Sequence, residues 1–305
     1  MNLVSAIVTT CKRKPQIVLR AVKSILAQTY PEIEIIVVDD SPNDYPLRNE
    51  VMQSVLDCSS KILYLQNEAQ SGACYSRNRG LTAAKGDYIA YLDDDDEWLP
   101  EKIEKQVQAI EAADEETAMI YCDYYQYDDL SRSDREIKLR KCTGNIYEEL
   151  MRHGNFCGGL SMPLLKTEAL RTIGGFDELL PSGQDYDLWI RLAQRYHVGY
   201  IENPWVIYHW NSGNQITKNP KSKIAGNIRI LKKNEDYFSS HPKETARMLN
   251  KLSVQYAMDT DARKAMATWC EMLSLVPLKF GTNIKTLLQI VKLLVSPRNK
   301  CVHTK

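Results

Sequence analysis

Four consecutive aspartates, Asp93–Asp96, directly follow the apolar run Tyr88–Leu92. Carboxylates set side by side raise the cost of ionising one another, so such a run needs water or a cation around it. Carboxylate oxygens are ligands that suit the hard cations Mg²⁺ and Mn²⁺. A solvated acidic loop is the alternative. The polar residues that end two earlier strand-like runs favour the metal site.

Those two runs precede the aspartates in the chain. Leu3–Val8 is followed by Thr9 and Thr10, and Ile33–Val38 is followed by Asp39 and Asp40. Strand patterns alternate with helical ones, which predicts an α/β fold with a mostly parallel sheet covered by helices on both faces. Ligands of such sheets bind outside the carboxyl ends of the strands. We therefore expect these polar ends to meet at one edge and form a metal-dependent pocket.

The charge of the chain is unevenly distributed. The 305 residues are 44% hydrophobic and 26% charged, which is ordinary for a globular protein, and their formal net charge is zero. Residues 218–305 nevertheless hold 17 Lys and Arg against 6 Asp and Glu, so residues 1–217 carry the opposite excess. An acidic body with a basic tail is not the profile of a nucleic-acid-binding protein. It fits a body that binds metal and a tail that meets anions.

Cysteine usage and hydropathy predict the compartment. The eight cysteines lack the close pairs of a zinc site, so we interpret them as reduced thiols of a cytoplasmic protein. The chain begins directly with a strand pattern, which indicates no signal peptide, and no apolar stretch is long enough to span a bilayer. The prediction is a soluble cytoplasmic protein or a peripheral one at the inner face of the membrane.

The pattern changes after Ala118. Met119–Asp123 and Gly158–Leu165 indicate strands, and the polar stretch 124–143 an excursion or a hairpin. Beyond Pro220 only helical patterns occur, so we predict a catalytic domain over 1–217 and a helical appendage over 218–305. The four patterns are Ile224–Phe238, Lys243–Met258, Asp261–Leu275 and Ile284–Val295. The last is amphipathic and basic, which suits packing on this chain, a homodimer contact or an anionic bilayer.

Six segments together resemble glycosyltransferase family 2. The resemblance covers roughly residues 3–212 and implies inverting enzymes with the GT-A fold, a Rossmann-like sheet, that act on nucleotide-activated sugars. The segments are Val4–Thr10, Ser24–Tyr30, Glu34–Asp40, Ser76–Gly80, Gly86–Asp96 and Gly174–Glu178.

The resemblance implies a nucleotide site at the first two strand ends. Thr9 and Asp40 match positions that hold the nucleoside, the aspartate accepting the ring N–H of the base. Uracil and thymine both offer that donor, and we favour a UDP-sugar. Asp39 is the ribose or turn partner. Arg77 matches a basic position that faces the base or the phosphates.

The same resemblance assigns the metal site. Asp95 is expected to bind Mn²⁺ or Mg²⁺, and Asp93 to contact the ribose or water around the metal. Asp94 and Asp96 are expected to lie behind the metal ligands, and Asp94 is counted among the donor-binding residues. Asp94 and Asp96 alternatively cap a helix that starts near Pro100. His209 resembles a late histidine that contacts the metal or the diphosphate, although a lone histidine after a strand often only packs.

Asp185 matches the catalytic base of the family. A carboxylate placed to remove the proton of the acceptor hydroxyl supports a single displacement that inverts the anomeric centre. The alternative is that Asp185 or Asp187 only caps a helix, and we assign the cap to Asp187. Gln184 stands where the family usually has glutamate, so the acceptor contact is open. Trp98 and Trp189 could stack on sugars or simply pack.

These assignments predict a metal-dependent inverting hexosyltransferase. Its acceptor would be a hydroxyl of a glycan or lipid-linked saccharide, in the synthesis of a surface polysaccharide or glycoconjugate. A nucleotidyltransferase is a rival, but the stretch Thr9–Lys12 lacks the glycines of a phosphate loop. A non-catalytic sugar-nucleotide-binding partner is another, although the metal aspartates and the base are present.

Overall fold

The computed structural model describes residues 1–210, 219–276 and 286–292. The first half of the chain alternates strands and helices: β1 (Val4–Thr10), α1 (Pro15–Leu26), β2 (Ile33–Asp39), α2 (Arg48–Leu56), β3 (Ile62–Gln66), α3 (Ala73–Ala83) and β4 (Tyr88–Asp93). The four strands pair in parallel in the order β3-β2-β1-β4. The alternation predicted for this half is confirmed.

Two helices show why this half packs closely. Proline opens α1 at its first turn, and the buried side chains Val18, Val22 and Ile25 recur at helical spacing, so one face of α1 enters the core. In α3, a Cβ on Gly80 would lie 2.5 Å from Ile7 Cγ2. Only glycine allows α3 to lie this close to β1.

The second half of the sheet is mixed. Its elements are β5 (Glu97–Trp98), α4 (Lys102–Ala112), β6 (Thr117–Asp128), β7 (Ser133–Ile137), α5 (Tyr147–His153), β8 (Leu164–Lys166), α6 (Thr167–Thr172), α7 (Gln184–Ala193) and β9 (His197–Trp210). The sheet continues from β4 as β8-β6-β9-β5, and β7 pairs with β6. β8 is antiparallel to both β4 and β6, whereas β6 and β9 are parallel. The parallel order therefore dominates only the first half.

Three strand predictions for this half are refined. The polar stretch 124–143 contains the predicted hairpin, formed by β6 and β7. The strand predicted over 158–165 shrinks to β8, because Gly158 (φ +79°) and the residues after it form turns. The two short strands predicted near 198–208 form the single strand β9. A bulge at Asn203 (φ +80°) breaks the alternation that a sequence pattern can detect.

The chain groups into two compact units. The first comprises Met1–Glu178 and the residues from Asp185 to the end of β9, and the second Leu179–Gln184 and the described residues from Asn219 onward. The predicted domain boundary at 217 lies in 211–218, outside the described residues. A division into catalytic domain and appendage stays a prediction.

The second unit is helical throughout its described part after Asn219. It contains α8 (Pro220–Lys233), α9 (Glu235–Ser240), α10 (Pro242–Met258), α11 (Ala262–Leu275) and helical residues 286–292. The predicted helix Ile224–Phe238 is divided between α8 and α9 at Asn234, and of Ile284–Val295 only 286–292 is described. Among the described residues no helix combines the length and apolarity needed to cross a bilayer.

Candidate active site

The register of the parallel strands brings the polar strand ends together. Thr9 on β1 pairs with Asp93 on β4, and Thr10 pairs with Asp39 on β2. The backbone N–H of Asp40 donates to the carbonyl of Thr10 at 2.8 Å. The polar residues that end β1, β2 and β4 thus share one edge of the sheet, as the topology predicted.

The four aspartates at the end of β4 occupy three different environments. The Asp93 side chain is 36% exposed and binds Arg77 (Nη2 to Oδ1, 3.0 Å). Arg13 bridges the next two, at 3.0 Å from Asp94 Oδ1 and 2.8 Å from Asp95 Oδ2, and these side chains are 8% and 12% exposed. Asp96 is buried. The edge therefore presents Asp93 outward and holds the next two carboxylates against one guanidinium group.

Burial and mutual repulsion raise two pKa values in this run. Burial raises the pKa of Asp94 to about 7, with Arg13 opposing the shift and Asp95 adding to it. Burial, followed by Asp93 and Asp95, raises the pKa of Asp96 well above its usual value. A raised carboxyl pKa means that the surroundings disfavour the negatively charged form. The run therefore favours an added cation.

Asp96 and Asp94 do not cap a helix, so that alternative is wrong. α4 begins at Lys102, with Glu101 at the cap position. The Asp96 carboxylate instead accepts hydrogen bonds from Ser161 Oγ (2.6 Å) and from the backbone N–H of His209 (3.1 Å). Asp96 therefore joins β4 to β9 and to the turn before β8.

Asp40 is held by neutral donors, whereas the neighbouring Asp39 also forms an ion pair with Arg48 (Nε to Oδ2, 3.8 Å). Asp40 Oδ1 accepts from Asn67 Nδ2 and from the N–H of Ser71, both at 2.7 Å, and Oδ2 accepts from the N–H of Gly72 at 2.8 Å. Asp40 thereby fixes the loop that leads into α3. About one of its four lone-pair sites is left for a base N–H.

Asp39 is fully buried. Its Oδ1 accepts from the N–H of Ser41 at 2.8 Å, and its Oδ2 from the Tyr64 hydroxyl at 3.1 Å. In this structure Asp39 serves the turn and exposes no carboxylate oxygen to a ribose. Its place in the nucleotide site stays a prediction.

Arg77 lies between Asp93 and Asp185, the predicted base. It binds Asp93, lies over the ring of Phe176 at 5.6 Å, and acts electrostatically on Asp185. Burial raises the pKa of Asp185, Asp93 adds to the shift, and the N–H of Tyr186 and Arg77 oppose it. Asp185 thus lies in the electrostatic field of the same edge. A raised pKa suits a carboxylate that must accept a proton.

Asp185 is the second residue of α7 and is oriented from two sides. Asn155 Nδ2 donates to Asp185 Oδ2 at 2.8 Å, and the N–H of Tyr186 donates to Oδ1 at 2.8 Å. Asp187, the predicted cap, lies inside the first turn instead, because α7 already begins at Gln184. It forms an ion pair with Arg191 at 2.8 Å.

His209 lies on β9 between two carboxylates. Its Nδ1 is 3.0 Å from Asp129 Oδ1 and its Nε2 is 2.8 Å from Glu97 Oε1. The hydrogen bond from the His209 ring is the main cause of a lowered pKa at Glu97. A metal or diphosphate contact would have to replace one of these hydrogen bonds, so the metal role of His209 stays a prediction.

The two tryptophans beside the acidic motifs are buried. Trp98 is 3% exposed and donates from Nε1 to the Ser161 carbonyl at 3.0 Å, and Trp189 is 1% exposed. Neither offers a face to a sugar, so packing explains both.

Three residues of this edge were missed from the sequence. Arg13 follows β1 by three residues, whereas Asn155 and Ser161 lie far along the chain from the aspartates they contact. The basic residues that follow the Thr9–Thr10 strand end were the one available signal for Arg13. No local pattern marks Asn155 or Ser161.

The carboxylates of this edge fit a divalent cation in chemistry. Asp93 and Asp95 offer oxygen ligands, and the guanidinium of Arg13 already bridges Asp94 and Asp95 as a cation would. Within the described residues no group of three or more His, Cys, Asp or Glu side chains is arranged as a complete metal site. Mg²⁺ bound through one or two carboxylates plus substrate phosphates needs no such group.

Comparison with solved structures shows the fold. The chain superposes on residues 1–349 of Staphylococcus aureus TarS, solved with UDP-GlcNAc, with a TM-score of 0.62 and 14% identity over 96% of this chain and 89% of that one. The mannosyltransferase PcManGT of Pyrobaculum calidifontis, solved with GDP-Man and Mn²⁺, gives a TM-score of 0.57 and 14% identity over 98% and 82%. These likenesses identify the GT-A fold.

Sequence comparison identifies the family. The chain is 27% identical to Escherichia coli K12 WcaA, provisionally named a colanic acid biosynthesis glycosyl transferase, over 92% of this chain and 96% of that protein. An uncharacterised glycosyltransferase of Rickettsia felis is 36% identical over 57% of this chain, which spans only 29% of that longer protein. The family model for glycosyl transferase family 2 matches residues 5–173. This chain belongs to glycosyltransferase family 2.

Proposed function

We propose that this chain is an inverting, metal-dependent hexosyltransferase that uses a nucleoside-diphosphate sugar, preferably a UDP-sugar. The observation that carries the proposal is the ion pair of Arg77 with Asp93 at the edge that also holds Asp94 and Asp95, with both groups acting electrostatically on Asp185. A carboxylate base beside a cation-binding edge is what sugar transfer to a hydroxyl requires.

The donor would lie along the ends of β1, β2 and β4. Asp95, with Asp93 beside it, would hold Mn²⁺ or Mg²⁺. A bound divalent cation neutralises charge on a departing diphosphate. Thr9, Asp40 and Arg77 would hold the nucleotide. The positively charged Arg13 would contact the phosphates of the donor. The Mn²⁺ and GDP-Man of PcManGT and the UDP-GlcNAc of TarS support this donor class.

Asp185 would act as the base. The hydrogen bond from Asn155 and the one from the N–H of Tyr186 fix its orientation, and its raised pKa increases its proton affinity. Asp185 would remove the proton from an acceptor hydroxyl while the hydroxyl oxygen forms the bond to the anomeric carbon. The bond to the nucleoside diphosphate breaks on the opposite face, so the configuration inverts.

The acceptor we propose is a hydroxyl of a glycan or lipid-linked saccharide. The name of WcaA, which the chain matches over nearly its whole length, supports a role in surface polysaccharide or glycoconjugate synthesis. That role would place the protein in the cytoplasm. The basic residues after 218 would allow peripheral contact with the inner face of the membrane, or a homodimer contact.

A donor screen tests the proposal. The protein is incubated with Mn²⁺ and UDP-, dTDP- and GDP-sugars, with and without EDTA. Slow, EDTA-sensitive release of the free nucleoside diphosphate from one donor is the expected result. Release of pyrophosphate would indicate the nucleotidyltransferase, and donor binding without turnover in the presence of candidate acceptors a non-catalytic partner. The anomeric configuration of the product, measured by NMR, tests inversion.

A further inference from the structure

The helical unit contains a cavity with a cationic lining. It has a volume of about 420 Å³ and lies between α8 and α10. Lys223 of α8 and Arg247 and Lys251 of α10 line it, and its lining, within the described residues, includes no Asp or Glu. Arg247 and Lys251 are four residues apart on one helix face, an arrangement in which like charges destabilise a helix.

Two of the lining residues, Lys251 and Gln255, are connected to α8 through the side-chain amide of Asn227. Lys251 Nζ donates to Asn227 Oδ1 at 3.3 Å, and Asn227 Nδ2 donates to Gln255 Oε1 at 2.8 Å. Asn227 and Gln255 are both buried. These bonds hold Lys251 toward α8, where Lys223 lies. A buried amide pair therefore anchors the ammonium group of the exposed Lys251, and Lys223 and Arg247 are half-buried.

Asn250 adds an unsatisfied polar group to the same lining. Its Oδ1 is buried and, among the described residues, has no hydrogen-bond partner. Buried polar atoms are nearly always paired, and those that are not often mark a ligand or an ordered water. The amide can rotate to present its two N–H donors instead of its oxygen. With those donors, Asn250 would complete a set of groups that all donate to an anion.

The volume of the cavity and its apolar lining indicate that the anion has an organic part. A bare phosphate is much smaller than this cavity, whose volume is typical of sites for small organic ligands. Val254 and Met258 continue the Arg247–Lys251 face by one and two further turns and supply apolar surface. The lining thus offers charged donors at one part and aliphatic contact at another.

We propose that this cavity is a binding site for an organophosphate, a phosphate ester whose charged group contacts Lys223, Arg247 and Lys251 and whose organic part rests on Val254 and Met258. Two sources share this chemistry, a soluble sugar or glycerol phosphate and a phospholipid headgroup. The site is separate from the donor site and does not depend on the proposed reaction.

Binding to the full-length protein in EDTA tests the site, since EDTA removes metal-dependent binding of diphosphates elsewhere. Calorimetry is performed with inorganic phosphate, glycerol 3-phosphate and dihexanoyl phosphatidate. At least one ester should bind with a dissociation constant below about 1 mM and more tightly than inorganic phosphate. If both esters bind equally, the source is soluble. If only the phosphatidate binds, flotation with phosphatidylcholine vesicles containing phosphatidate should show membrane recruitment.

Matched variants assign the binding to the cavity. Arg247→Gln with Lys251→Gln should weaken ester binding about tenfold or more, because two charge-assisted contacts are lost. Lys232→Gln with Lys243→Gln removes the same charge from exposed positions outside the cavity and should change it less than about twofold. Lys223→Gln, on the facing helix, should also weaken ester binding. This single variant replaces the double variant in the test if the double variant does not fold.

Three results would overturn the proposal. They are no ester binding at millimolar concentration, equal binding of inorganic phosphate and the esters, and an equal loss in the cavity and control variants. The last would indicate a general attraction to the basic unit.

Discussion

Two acidic strand ends of one sheet are treated in opposite ways. At the end of β2, Asp40 is held by Asn67 and the N–H groups of Ser71 and Gly72. At the end of β4, Asp94 and Asp95 share Arg13, and Asp94 has a pKa raised to about 7. Asp40 stabilises a loop through neutral donors. The β4 run holds two carboxylates against one guanidinium group, so the same residue type is satisfied at one strand end and crowded with like charge at the other.

The largest expected effect is that of Asp95→Ala on turnover. If the β4 run binds the donor's cation, the variant should lose about 10³-fold or more in Mn²⁺-dependent release of nucleoside diphosphate, together with metal-dependent donor binding. Asp57→Ala removes an exposed carboxylate at the end of α2 and serves as the control. Turnover within tenfold of wild type would remove the metal role from Asp95.

Asp185→Asn should separate chemistry from donor binding. The amide keeps the shape of the side chain but cannot accept the hydroxyl proton, so kcat should fall about 10²- to 10⁴-fold. Donor affinity, measured by calorimetry with Mn²⁺, should stay within about threefold, because Asp185 lies outside the proposed cation ligands. Near-normal transfer by this variant would show that another group is the base.

Asp40→Asn tests the structural side of the comparison. Asp40 accepts hydrogen bonds from three N–H donors, and the NH₂ group of Asn would face at least one of these donors without an acceptor between them. The free energy of unfolding should therefore fall by roughly 2–3 kcal/mol. Urea unfolding in EDTA measures this. Asp94→Asn, which removes a charge from the other strand end, should not destabilise the protein at pH 7. Similar losses in both variants would end the distinction between the two ends.

The pH dependence of Asp94 gives the smallest effect. Its pKa of about 7 lies above the unfolded value near 4, so the folded state keeps a proton that the unfolded state has lost. The resulting stability is fully present below the unfolded pKa and is lost as the pH rises toward and through 7. Between pH 5.5 and pH 8 in EDTA, wild type should lose about 2 kcal/mol relative to Asp94→Asn.

The unfolding free energies of the two proteins, measured in urea at each pH, provide the check. A difference that stays constant across this range would show that Asp94 is ionised throughout.

Much of the fold and part of the site could be predicted from the sequence. The strands β1 to β4 are mostly apolar runs bounded by polar residues. This pattern can be recognised from the local sequence alone. Their parallel order follows from the intervening helices, and it brings Thr9, Asp40 and Asp93 to one edge. The bounds of the bulged strand β9 and the short strand β8 were predicted less well. A bulge and a glycine turn interrupt the periodicity on which such predictions depend.

The sequence by itself determined which strand ends carry carboxylates and that these ends share an edge, because local pattern and chain topology fix both. Tertiary structure decided which carboxylates are satisfied. Asp39 is buried against Tyr64, Arg13 reaches across to Asp94 and Asp95, and His209 lies between Glu97 and Asp129. These contacts join residues 25 to 112 positions apart along the chain. Hydrogen bonding and burial depend on such distant neighbours, which no local spacing encodes.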